Sequence, residues 1–314
     1  MSGPVRIEDV PPTDEGAAGA LDATLEITPS READVAGQRV RRALPRRARR
    51  TVGSWCFADH MGPSAPGGTV GIGPHPHIGL QTVTWLLEGE LLHRDSLGSE
   101  QVVRPGELNL MTAGRGISHA EESTGAPGGL HGIQLWVALP ESTRHADPAF
   151  EHRDHLPQVD LGAGTATVLV GDLGGTTSPA RRDTDHVGVD LALRSGRSNL
   201  PLRPDHEHAL VVLDGAVTTG GARIEPGHLA YLGLGRDELE LGATGPTRVL
   251  LLSGTPFESP VLMWWNFVAR TRAEMEVARA DWAGAAARFG DTGSPLEHMP
   301  APPLPWTQPA AGPR

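Results

Sequence analysis

Two short patterns in this 314-residue chain set metal-ligating side chains two residues apart. The first is His75-Pro76-His77; the second, His119-Ala120-Glu121, begins 42 residues after His77. On an extended chain, residues i and i+2 project to one face, so each pair can aim both donors at a single point. Pro76 stiffens the backbone between its imidazoles and removes an N–H that would otherwise need an acceptor. The gap between the pairs has room for a few strands and their turns, which lets the pairs sit on neighbouring strands. Together they would offer three nitrogens and one carboxylate oxygen to one divalent cation. That set suits Fe(II), Mn, Ni, Cu or Zn and leaves up to two coordination positions open. In a chain with 14 histidines, a lone H-x-H is weak evidence, and the competing reading is a set of hydrogen-bonded turn or surface residues. The second pair, preceded by the Gly-rich turn TAGRG, shifts the balance towards metal.

Other chemistry-bearing residues read more plainly. Asp205-His206-Glu207-His208 looks like a ligand cluster, yet aligning the two halves of the chain places Pro201, Arg203, Glu240 and Gly242 where the four donors of the first half stand. No second four-ligand set assembles, so this stretch reads as a solvated loop. His60 reads as a hydrogen-bonding scaffold residue, His131 and Trp136 as barrel packing, and Trp264-Trp265 as packing for the last strand and helix. The single cysteine, Cys56, reads as a small buried hydrophobe and excludes an internal disulfide framework, which fits a reducing cytosol.

The elements that must position these residues are short strands. Gly 40 and Pro 28 together make up about a fifth of the chain, favouring turns over long helices. Apolar runs such as TVTWLLEGEL, LNLMTAG, GIQLWVALP, HALVVLDGAV and TRVLLLSGTP recur between Gly- and Pro-rich turns, the pattern of an all-β sandwich or barrel. An internal echo points to two modules in tandem. WLLEGEL turning at Gly89 is answered by VVLDGAV turning at Gly215, and RPGELNLMTAG from Arg104 by EPGHLAYLGLG from Glu225. One helix is expected after Thr271-Arg272-Ala273-Glu274, a capping box, with Met275, Ala278, Trp282, Ala285 and Phe289 at helical spacing and Gly290 as its stop. The expected divisions are a flexible N-terminal arm over 1–36 with at most one strand, modules over 37–140 and 141–256, a strand and helix over 257–290, and a Pro-rich tail over 291–314.

No stretch approaches the ~20 apolar residues of a membrane span. The net charge of −11 makes a phosphate-backbone partner a poor fit. The basic run from Arg39 to Arg50 therefore reads as a solvated strand edge or an anion-facing loop, with no nucleic acid and no membrane among the expected partners. Every cationic side chain is arginine, which reads as coding bias.

The segments FADHMGP, HPHIGLQTVTWLLEGEL and MTAGRGISHAEES, followed by GIQLWVALP, VLVGDLGG and ARTRAEMEVARADWAGAAARFG, closely resemble the pirin family of the cupin superfamily, over residues 37–290. The resemblance implies two tandem cupin (jelly-roll-like) β-barrels with a C-terminal helix, a bicupin whose N-terminal barrel holds one divalent metal ion. It carries the ligand roles onto His75, His77, His119 and Glu121, with Fe(II) the first choice and Mn, Ni, Cu or Zn as alternatives. Gln81 stands where many relatives have Glu in an HxHxxxE motif, a change expected to alter the surroundings of the metal. Some members act as quercetin 2,3-dioxygenases, which implies a small phenolic or enediol substrate with Glu121 as catalytic base. Others are metal- or redox-sensing regulators, which implies a protein partner without turnover. A purely structural ion is the third reading. The expected location is cytoplasmic.

Overall fold

The apolar runs between glycine turns become strands. In a computed structural model describing residues 25–65 and 71–306, they pair antiparallel into two β-units joined by a shared apolar seam. The first unit comprises β2 (Arg31–Val35), β3 (Gln38–Leu44), β4 (Trp55–Met61), β5 (Ile72–His77), β6 (Leu80–Glu88), β7 (Leu91–Asp95), β8 (Glu100–Val103), β9 (Leu108–Thr112), β10 (Ile117–Glu122), β11 (His131–Ala138) and β12 (Ala149–Arg153). They form a seven-stranded sheet ordered β12-β9-β6-β11-β4-β3-β2 and a four-stranded sheet ordered β5-β10-β7-β8. Ile117 of the small sheet packs with Phe57, Leu80, Met111 and Trp136 of the large one, closing a barrel around them.

The second unit repeats the plan. Its large sheet orders Gln158–Asp160, Gly164–Val170, His186–Leu193, Thr247–Gly254, Glu207–Asp214 and His228–Gly233, with β1 (Glu26–Pro29) added beyond the last. Its small sheet has four strands, Gly196–Pro201, Glu238–Ala243, Val217–Thr219 and Ala222–Ile224. The echoed turns match in backbone conformation: Gly89 and Gly215 take φ of 78° and 70°, and Gly106 and Gly227 take 86° and 87°. Only glycine adopts such angles freely, so the echo marks the same turn in each unit.

Strand parity decides what faces the seam. On β6, Val83 and Trp85 join Ile133, Leu135 and Val137 of β11 against Ala209, Val211, Leu213, Leu250 and Leu252 of the second unit. Leu80 and Leu86, one residue out of phase, point into the first barrel. The fully buried Trp55 crosses the seam, its indole N–H shared between Val187 O and Ser253 O at 3.2 Å each.

Three expectations change here. Residues 26–35 are not a loose arm with one strand: they are two strands, of which β1 pairs with His228–Gly233 of the second unit and β2 with β3 of the first. Each covers a sheet edge, which the four- or five-residue runs EITP and READV are too short and too charged to announce. Residues 1–24 and 307–314 lie outside the described residues. The helix, α1 (Arg272–Ala283), ends at Gly284, not Gly290, and Ala285 turns the chain at φ 52°. Phe289 still reaches the core, carried there by the turns after the helix. The cap is half a box: Thr271 Oγ1 accepts from Glu274 N at 3.2 Å, but the Glu274 carboxylate accepts from Arg270 N and from Arg144. The basic run is not wholly solvated either. Arg42 is buried and makes a bidentate pair with Asp59, at 2.7 and 2.6 Å.

Candidate metal centre

β5 and β10 pair antiparallel in the small sheet, with His119 opposite His75 and Ile117 opposite His77. Pairing and parity turn three imidazoles to one face. Ring nitrogens of His75, His77 and His119 lie within 4.8 Å of one another, and His77 Nε2 is 3.0 Å from His119 Nε2. All three are buried. The turn after β5 needs Gly79, whose φ is +68° and whose added Cβ would lie 2.2 Å from Val268 O. The tail also approaches β5 closely, with Met299 N donating to Pro74 O at 2.9 Å.

The outer ring nitrogens are committed. His75 Nδ1 lies 2.9 Å from Gly73 O and His77 Nδ1 2.8 Å from Asn266 O. A carbonyl only accepts, so each Nδ1 carries the proton and each Nε2 presents a lone pair. His119 Nδ1 faces His93 Nδ1 at 3.4 Å, and His93 Nε2 lies 3.0 Å from Asp95 Oδ2. Burial, then neighbouring imidazoles, hold the pKa values of His75 and His119 well below the ordinary range. Burial takes His77 to about 3. The neutral imidazole is the form that binds a cation. Two nitrogens about 2.1 Å from one ion and at a right angle around it stand roughly 3.0 Å apart, so the residues fit a divalent metal.

Glu121 lines the same cavity, but its carboxylate falls outside the group of mutually close donor atoms. The register of β10 against β5 slips between His119 and Glu121, and such an irregularity re-aims the side chain that follows it. Burial raises the Glu121 pKa, and among the described residues no hydrogen-bond donor is paired with its carboxylate. The cavity encloses about 50 Å³. Its apolar walls include Phe57, Ile72, Leu91 and Trp136, and Val35 and Gln38 line it from the tip of the β2–β3 hairpin. Trp136 stacks on Phe57 at 4.1 Å and meets His77 edge-on at 5.2 Å.

Several other residues lie elsewhere than expected. Gln81 has the parity of Val83 and Trp85, so it faces the seam, donating from Nε2 to Thr112 Oγ1 and to Asp183 Oδ2 at 3.0 Å each. It is not part of the cavity lining. His131 also turns to the seam and pairs with His60 through their Nε2 atoms at 3.0 Å, while Trp136 does wall the first barrel. His60 is thus the hydrogen-bonded scaffold expected.

The stretch Asp205–His208 is not a solvated loop. Asp205 alone is exposed; His206 and His208 are buried, bonded to Ser253 Oγ and Arg203 O at 2.9 Å each. Glu207 reaches the seam, accepting from Gly53 N and the Tyr231 hydroxyl. His206 does group with Asp185 and Asp205, but the Arg203 guanidinium bridges both carboxylates at 2.8 and 2.7 Å and supplies the cation they would otherwise seek. Cys56 is buried as expected, its thiol pKa pushed up to about 12 by burial. Sequence reasoning passed over His93, Asp95 and Asn266. The first two repeat the i, i+2 spacing of the other pairs in His93-Arg94-Asp95, a signal present in the chain; Asn266 acts through its backbone and leaves none.

Comparison with known proteins places the geometry. Residues 37–137 match the Pirin family and residues 188–290 the Pirin C-terminal cupin domain. A Pseudomonas aeruginosa protein that bears the quercetin 2,3-dioxygenase name provisionally is 46% identical over 288 residues, spanning 90% of this chain and 91% of its own. Pirin from Homo sapiens is 31% identical, covering 85% and 93%. The solved structure of a quercetin 2,3-dioxygenase from Acinetobacter baumannii superposes with a TM-score of 0.87 at 43% identity, over 91% of this chain and 97% of the other.

Proposed function

Because this chain belongs to the pirin family of tandem cupins, we propose that His75, His77, His119 and Glu121 hold one divalent metal ion, Fe(II) foremost, in an oxidoreductase of the quercetin 2,3-dioxygenase type. One observation carries the reading: three buried, neutral imidazoles converge beside a carboxylate that burial has made more basic. A redox-capable ion held there supplies Lewis acidity towards a substrate oxygen and a partner for dioxygen.

The chain's own residues do the rest. Glu121, with no hydrogen-bond donor of its own among the described residues, takes the proton of a flavonol or enediol hydroxyl. Phe57 and Trp136 offer flat apolar walls to a phenolic ring, and Ile72 and Leu91 exclude water. A cavity of about 50 Å³ is far below the ~300–1,000 Å³ of sites for drug-sized ligands. A flavonol therefore enters only if the lining side chains give way, whereas a small enediol needs less room.

The small cavity favours a second reading, in which the centre changes charge by one unit and a partner protein senses it. Purified protein loaded in turn with Fe(II), Mn, Ni and Cu should bleach the quercetin absorption band, and Glu121→Gln should keep its metal while losing most of that turnover. Absence of turnover on quercetin and on small enediols with every metal, beside a working control enzyme, overturns the oxidoreductase. A partner captured by the metal-loaded protein and not by His75→Ala would then establish the regulator.

A further inference from the structure

His119 differs from the other two imidazoles. Its Nδ1 faces no carbonyl, which could only accept; it faces another imidazole nitrogen, His93 Nδ1, at 3.4 Å. Either nitrogen could be the donor, and the next contact along decides. Asp95 is fully buried, and its Oδ1 accepts from Leu97 N and Ser99 N at 2.9 and 3.1 Å. Its Oδ2 lies 3.0 Å from His93 Nε2. In a neutral His93 ring, an oxygen facing that nitrogen draws the single proton to Nε2 and leaves Nδ1 as a bare acceptor. His119 can then donate from Nδ1, and a cation shared with His77, whose Nε2 lies 3.0 Å from its own, would keep its Nε2 lone pair turned inward. His93 is held for this by a face-to-face stack on Phe150, with centroids 4.4 Å apart and planes 12° apart.

We propose that His93 and Asp95 are positioning residues that set the tautomer of His119, so that three inward-facing lone pairs meet at one point. Asp95 does for His119, through one intervening ring, what the carbonyls of Gly73 and Asn266 do directly for His75 and His77. The inward lone pair of His119 and its consequence for metal rest on the reading of the site given above; the tautomer of His93 stands on its contact with Asp95 alone.

Asp95→Asn is the decisive substitution because it changes almost no volume. The two backbone donors keep the amide oxygen, so the amide NH₂ turns to His93 Nε2 and makes that nitrogen the acceptor. The proton moves to His93 Nδ1 and now opposes the donor of His119, the same logic by which an Asp-to-Asn change spoils a catalytic triad through the wrong tautomer. Nitrogen NMR on ¹⁵N-histidine-labelled protein, with His93 assigned by His93→Phe, reads the tautomer in both metal-free and Zn(II)-loaded samples. The wild type should carry the His93 proton on Nε2, and Asp95→Asn should move it to Nδ1. Zn(II) affinity, measured by chelator competition, should fall about 10–100-fold in Asp95→Asn and in His93→Phe, which keeps the aromatic stack. A wild-type His93 protonated on Nδ1, or an Asp95→Asn protein with unchanged tautomer and affinity, overturns the inference. Wild-type protein that takes up neither Zn(II) nor Fe(II), Mn, Ni or Cu yet shows the Nε2–H tautomer of His93 supports the relay and defeats the metal reading instead.

Discussion

At the residue scale, distance along the chain says less than side-chain direction. His75 and His77 are legible in the sequence as one donor pair because the i, i+2 rule fixes their common face without knowledge of the sheet, whereas His119 joins them through the pairing of β10 with β5. Glu121 obeys the same spacing, yet the register slip after His119 leaves its carboxylate outside the group, and no sequence pattern announces that slip. Asp205–His208 fails for the opposite reason: its residues look like donors, but parity sends Glu207 to the seam, and Arg203 occupies the carboxylates beside His206. The two histidine-rich stretches should therefore part in experiment. His75→Ala or His119→Ala removes a donor and should abolish most metal uptake by elemental analysis. His206→Ala should leave the metal-to-protein ratio unchanged while lowering the melting temperature, since it strips Ser253 of a buried partner at a cost of ~1–3 kcal/mol. Loss of the ion from His206→Ala alone would move the site to the second barrel.

At the element scale, the strands were foreseeable from apolar runs between glycine turns, but which face of each strand meets which neighbour was not. β6 shows why. In TVTWLL nearly every residue is buried, so the alternation of Thr82 and Thr84 with Val83 and Trp85 does not tell the barrel side from the seam side. Position 81 consequently looks like a neighbour of the metal when it is a seam residue bonded to Thr112 and Asp183. That assignment makes a sharp prediction for Gln81→Glu. The new carboxylate loses the amide donor and faces Asp183, whose carboxylate already shares the Arg181 guanidinium, so a second negative charge beside it ionises at a cost. The variant should melt lower, by an amount corresponding to roughly 1–3 kcal/mol, with metal content unaltered. Higher turnover at an unchanged melting temperature would place residue 81 within reach of the cavity. The helix teaches a similar lesson: its apolar spacing runs on to Phe289, but Ala285 in the left-handed region turns the chain, and tertiary packing, not helical periodicity, buries that ring.

At the scale of the whole molecule, the tandem plan is written in paired glycines, whereas the seam that unites the two units appears only once both sheets are built. That seam and the second barrel hold neutral histidines. Burial lowers the pKa of His60 to about 3 and those of His186 and His208 to about 4. Below the ordinary histidine pKa near 6.5, the unfolded chain binds protons that the folded chain refuses. Stability is then full above about pH 6.5 and is lost as the pH falls towards 4, each group contributing a slope of about 1.4 kcal/mol per pH unit within that window. Because one apolar cluster contains residues of both units, the loss should be shared by the whole molecule. Calorimetry from pH 7.5 to 4.5 should show a single transition whose midpoint is flat at the upper end and drops progressively below 6.5. His60→Leu, which removes one of the two rings that meet at that point of the seam and leaves His131, should flatten the slope relative to the wild type. Two separate transitions would mean that the seam does not couple the units, and a wild-type midpoint constant down to pH 4.5 would mean that these rings titrate as they do in water.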